Sequence, residues 1–164
     1  IINMYILGKE KQQAVLKSLE LISETEEGWT HQYRDPLSGQ EWISFHVHPE
    51  YHGGGILVLR QDPPPAEINS WLELCFGTGS EDDVVGLGLE LSNQHESWLL
   101  VIEWLESKYS RYSKDTITSF IYQLGVRHPT NRRDPLGKSP DEVEEDYQHF
   151  VELAERANCL VSSF

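Results

Sequence analysis

The chain has 164 residues, about the length of one ordinary domain, and its 27 acidic against 13 basic residues leave a formal net charge of −14. A surface that negative repels nucleic acid and anionic membranes and speeds encounter with cationic partners. There is no apolar run of about 18 residues, no leader of charged, apolar and small residues, and no CxxC spacing around Cys75 and Cys159, so a membrane span, a signal peptide and a disulfide framework are not expected and a reducing cytoplasm is.

From Lys9 to Ser23 the apolar positions Ala14, Val15, Leu19 and Ile22 recur near helical spacing among charged residues, which predicts an amphipathic helix. Gly28 stops it, and Trp29–Arg34 alternates like a strand. Asp35-Pro36-Leu37-Ser38-Gly39 is turn chemistry, so Trp29–Arg34 and Glu41–His48 are expected to form an antiparallel hairpin. Alternation within Trp42–His48 puts Ile43, Phe45 and Val47 on the expected core face and Trp42, Ser44, His46 and His48 on the opposite one. Pro49 ends this strand, Gly53-Gly54-Gly55 frees the backbone, and Ile56–Arg60, apolar on both faces, completes a small meander.

Asp62-Pro63-Pro64-Pro65 then switches the period, and the remainder reads as helix. Ala66–Phe76 is one helix. Ser80 caps the next, with Glu81, Asp82 and Asp83 in the dipole-favoured first turn and with Val84, Leu87 and Leu91 on the buried stripe, Val85 and Leu89 beside it. Gly86 and Gly88 cost about 1 kcal/mol each in a helix relative to alanine, which predicts close approach of a neighbour. After a short connection, Glu96–Lys108 is apolar almost all round and is the expected central helix; with its predecessor it has the form of a HEAT-type repeat unit. Asp115–Leu124 is a further helix. The long loop Gly125–Ser139 carries Arg127, Arg132, Arg133 and Lys138, and Ser139-Pro140-Asp141-Glu142 opens the last helix. The expected fold is α+β, an N-terminal helix and small antiparallel β-meander packed against a C-terminal helical bundle, with HEAT-like helix pairs as one form of that bundle. It is read as a single domain over 1–164, its β-containing part at about 1–62 and its helical part at about 63–164.

Four features carry chemistry. His46 and His48 share a strand face and Glu50 and His52 follow, so a divalent ion could be held there, with His31 across the hairpin as the further ligand; surface or half-buried histidines are the plainer reading. Tyr51-His52-Gly53-Gly54-Gly55 could converge backbone N–H groups on an anion, but no nucleophile motif accompanies it and a wide turn explains the glycines. Acidic groups recur at Glu24, Glu26 and Glu27, at Glu81, Asp82 and Asp83, and from Asp141 to Asp146. Glu144, Glu145 and Asp146 exceed what a helix N-terminus needs, so these acids could occupy a basic cleft. Trp42 is either covered by a helix or an interface anchor.

The runs DPLSGQEW (Asp35–Trp42), PEYHGGGILVLR (Pro49–Arg60), DPPP (Asp62–Pro65) and SEDDVVGLGLELSN (Ser80–Asn93) resemble small bacterial immunity proteins paired with polymorphic or contact-dependent toxins. The resemblance covers Asp35–Glu106 and implies a cytosolic, non-catalytic protein that binds and blocks a cognate toxin domain, often a nuclease; the negative charge fits a basic target, and no cofactor is expected. The expected contact residues are Glu81, Asp82, Asp83, Glu144, Glu145, Asp146, Trp42 and Tyr51. The alternatives are a metal-binding module or metal-dependent hydrolase using His46, His48 and His52, and a helical-repeat scaffold.

Overall fold

The computed structural model describes residues 3–48 and 54–162. Its α+β architecture divides into two compact units, 1–87 and 88–164. The first holds β1 (Tyr5–Ile6), α1 (Lys9–Leu16), β2 (Glu20–Glu24), β3 (His31–Arg34), β4 (Glu41–Val47), β5 (Ile56–Asp62) and α2 (Ile68–Gly77). Its five strands form one antiparallel sheet in the order β1-β5-β4-β3-β2. Helix α3 (Glu81–Leu91) follows, and the second unit is built on α4 (Trp98–Lys108), α5 (Lys114–Leu124) and α6 (Pro140–Ser162).

The β3–β4 hairpin forms where its turn residues predict. The Asp35 carboxylate accepts from the Leu37 N–H at 2.9 Å, Asp35 N–H donates to the Gln40 carbonyl at 2.8 Å, and Gly39 takes φ 76. The hydrogen bond from Leu37 N–H, and after it hydrogen bonding from Ser38, hold the Asp35 carboxyl below its usual range. β4 then pairs with β5 along its full length, from Glu41 opposite Asp62 to Val47 opposite Ile56. Gly55 closes that connection at φ 81, where a Cβ would lie 2.3 Å from the Val47 carbonyl, so no other residue fits.

Two expectations are corrected in this unit. The helix expected over Lys9–Ser23 ends at Leu16, and Glu20–Glu24 is instead a strand, exposed at every position and paired with β3 through a bulge at Ile22. The helical spacing of Leu19 and Ile22 had no buried face behind it to enforce a helix. The assignment of core to one face of β4 is also too simple. Trp42 and Ser44 are 5% and 4% exposed, Val47 on the opposite face 2%, and Ile43 and Phe45 only half-buried. The Trp42–Ser44 face is the better buried at that end of the strand, while Ile43 on the other face lines a groove with Gln32 and Ser23.

Gly86 and Gly88 serve close approaches. A Cβ on Gly86 would lie 2.4 Å from Cγ of the fully buried Tyr5 ring, and one on Gly88 would lie 2.9 Å from Gln123 Cβ. In the second unit α6 packs along both α4 and α5, burying Phe150, Leu153, Ala154, Ala157 and Leu160 against Val101, Ile102, Leu105, Ile117 and Phe120 of the same core. The buried Trp98 indole N–H donates to the Leu91 carbonyl at 2.8 Å, and Ser139 caps α6 by accepting from Glu142 N–H at 3.2 Å.

Candidate functional site

The two edges of the sheet are finished differently, and the acidic residues explain how. β1, at one edge, is two residues long. Its outward N–H groups are taken by carboxylates from the first turn of α3: Tyr5 N–H donates to Asp83 Oδ1 at 2.7 Å, and Leu7 N–H to Asp82 Oδ2 at 3.0 Å. Lys11 Nζ also reaches Asp82, at 2.6 Å. Where β1 ends, the buried Gln12 amide bridges the Ile6 and Leu57 carbonyls at 2.9 Å each, occupying the next place in the ladder. This edge is therefore closed by side chains.

Two of the expected contact acids are consumed in doing so. Asp83 is fully buried and also accepts from the Thr78 hydroxyl at 2.6 Å; burial pushes its carboxyl above the usual range, against the pull of those hydrogen bonds. Asp83 is thus a structural acid and not a surface one. Asp82 is half-buried, and only Glu81 of the three is exposed.

In the second unit Asp146 is likewise a buried acid with partners inside the fold. It is buried on α6 and accepts from Arg133 Nη1 at 3.0 Å and from Lys138 Nζ. Those contacts, Lys138 first and Arg133 second, hold its carboxyl below the usual range. Arg133 also grips Glu96 with two nitrogens, at 3.0 and 3.2 Å, and lowers that carboxyl too. Arg132 lies over the Trp98 ring at 4.8 Å and donates to the Gly125 and His128 carbonyls. Arg127 donates to Asn158 at 2.6 Å. The cations of the 125–139 loop therefore fasten it to its own unit and are no free basic patch. Glu144 and Glu145 remain exposed on α6, Glu144 accepting from Gln148 at 2.9 Å.

Trp42, expected as a contact, is core, and Tyr51 lies outside the described residues. So do Glu50, His52 and Gly53. His46 faces Trp29, its ring 5.1 Å from the indole in an edge-on arrangement and its Nδ1 3.4 Å from the Trp29 carbonyl. His48 takes φ 55 at the end of β4, and His31 pairs with Glu24 at 3.2 Å across β2 and β3. Among the described residues no three or more His, Cys, Asp or Glu side chains gather to hold a metal ion.

At the opposite edge, β2 is the surface that sequence reasoning missed. It pairs with β3 on one side, and among the described residues its other side has no strand neighbour in the sheet. Leu21 and Ile22 are 55% and 45% exposed, with Glu20 and Glu24 at the ends of the strand, Glu26 and Glu27 in the turn that follows, and Trp29 half open beyond it. A groove of about 220 Å³ runs inward from it across the sheet face, between Ser23, Glu24, Thr25, Thr30, Gln32 of β3 and Ile43 of β4. The sequence carried little signal for it: Leu21 and Ile22 are adjacent rather than alternating, and the five residues are short enough to read as the tail of a helix.

Searches of the curated proteins and of the solved structures return no match. Residues 12–61, from within α1 to within β5, match the model of a protein family, and they overlap the resemblance drawn over Asp35–Glu106 along the hairpin and β5. That family is Imm27, Immunity protein 27, so the likeness of this chain to immunity proteins is borne out across the segment that forms most of the sheet.

Proposed function

We propose that this protein is a non-catalytic immunity protein that neutralises a cognate toxin domain by covering its working surface. The match of residues 12–61 to Immunity protein 27 carries the reading. The net charge of −14 supports a cationic target, such as the cleft of a domain that acts on nucleic acid, and would steer the encounter in the cytoplasm. Glu81, Glu144 and Glu145, exposed on their helices, contribute to that field, whereas the buried Asp83 and Asp146 hold the fold.

The test is growth protection. The product of the open reading frame beside this gene, tested as the cognate toxin, is expressed in a sensitive bacterial host with and without this chain. Restored growth together with co-purification of an equimolar complex is the expected result; continued killing with no complex would contradict the proposal.

A further inference from the structure

The sheet has one edge that its own side chains close and one that they leave open. At β1 the outward N–H groups of Tyr5 and Leu7 meet Asp83 and Asp82. At β2, among the described residues, no strand and no side-chain hydrogen bond covers the outer backbone of Glu20–Glu24, and every residue of the strand is exposed. An open edge offers its N–H and C=O groups as a template for another strand. What it accepts is decided by the residues along it. Two copies of β2 pairing antiparallel about Ile22 would set Glu20 against Glu24 at both ends, and like charges directly opposed destabilise such a pair. An extended segment with lysine or arginine at those positions meets two carboxylates on the strand and two more, Glu26 and Glu27, just past its end. Its apolar residues would lie beside Leu21 and Ile22.

Resting on the immunity reading above, we propose that the open edge of β2 receives an extended basic segment of the toxin domain as a sixth strand. Main-chain hydrogen bonds along Glu20–Glu24 would supply affinity, and the flanking glutamates would select the partner and exclude a second copy of this chain.

Amide hydrogen exchange on the full chain tests this with two probes. One is the toxin domain encoded beside the gene; the other is a synthetic peptide of alternating lysine and valine, with its glutamate-valine counterpart as control. With either basic probe, exchange across residues 20–24 is expected to slow by about tenfold or more while the acidic peptide has no effect. The double charge reversal Glu20→Lys and Glu24→Lys is expected to weaken binding of the lysine-valine peptide by about tenfold, since each loses a favourable cross-strand pair and gains a repulsive one. The control reversal Glu155→Lys, at an exposed acid of α6 that has no part in the expected contact set, should leave the protection of residues 20–24 in place. A toxin complex that forms with exchange at 20–24 unchanged overturns this inference and leaves the immunity reading standing. Protection by the peptide with no toxin complex supports the edge and overturns the immunity reading. Protection by neither probe, or a concentration-dependent dimer of the free chain that protects the same amides, overturns the inference.

Discussion

Asp83 separates structural acidity from the acidity available to a partner, and replacing it shows which is which. In Asp83→Ala the buried Tyr5 N–H loses an acceptor at 2.7 Å, and an orphaned buried donor costs about 1–3 kcal/mol. Thr78 loses less, because its hydroxyl already has the Cys75 carbonyl at 3.1 Å. Against this, alanine relieves the burial of a carboxylate, the cause that pushes the Asp83 carboxyl upward. The net is a loss of about 1–2 kcal/mol, or roughly 2–8 °C in Tm for a chain of this size. Asp83→Asn keeps an oxygen for Tyr5 N–H and has no charge to bury, so it should lie within about 0.5 kcal/mol of the parent. The pH dependence has a definite sign. A carboxyl raised by folding favours the protonated native state, so its contribution weakens as pH rises above its unfolded value, and the asparagine variant should gain on the parent through that window. Urea unfolding followed by circular dichroism measures all three proteins at several pH values. The reasoning fails if alanine costs nothing, if asparagine is as damaging as alanine, or if folded Asp83→Ala protein loses affinity for the toxin domain while keeping its unfolding midpoint.

Three further outcomes follow from the packing and the charges. Gly86→Ala drives a Cβ to 2.4 Å from the Tyr5 ring, so an overpacking cost of about 1–3 kcal/mol should exceed the helix-propensity gain of about 1 kcal/mol, whereas Gly88→Ala, with its nearest neighbour at 2.9 Å, should be milder in the same urea experiment. Asp146 and Glu96 have carboxyls lowered by Lys138 and Arg133, so the stability they give is present above the ordinary carboxylate range and is lost as pH falls through their folded values; limited proteolysis should find the 125–139 loop more readily cut at acidic pH. His95 is shifted the other way to most paired histidines: burial first, and then Arg132, lower its affinity for a proton, so nuclear magnetic resonance titration should place its midpoint below about 6.5, with folding stability falling as pH drops through that value.

Local chemistry made some of this fold legible in the sequence. The Asp35–Gly39 turn, the Ser139 cap and the paired glycines of α3 each state their purpose in residues that have few other uses, and each does in the structure what its chemistry requires. β2 was not legible because a five-residue edge strand exposed on both faces carries no burial pattern, and Leu19 with Ile22 happens to continue the spacing of Ala14 and Val15. β1 is only two residues long and is held by Asp82 and Asp83, some 75 and more positions away in sequence, a contact that no local pattern encodes. The same long-range contacts misled the reading of the site. First-turn acids look alike in sequence, yet Glu81 faces water while Asp83 closes a sheet edge, and Glu144 and Glu145 stand beside an Asp146 that anchors a loop.

Occlusion without turnover has a stoichiometric signature. Toxin activity, titrated with this chain at toxin concentrations well above the dissociation constant, should fall linearly and reach zero at one equivalent, and the association rate should drop steeply as ionic strength rises, as expected for a partner steered by a charge of −14. Silencing of the toxin by a small fraction of an equivalent, growing with time, would show catalysis and contradict the account; so would activity that persists beyond several equivalents.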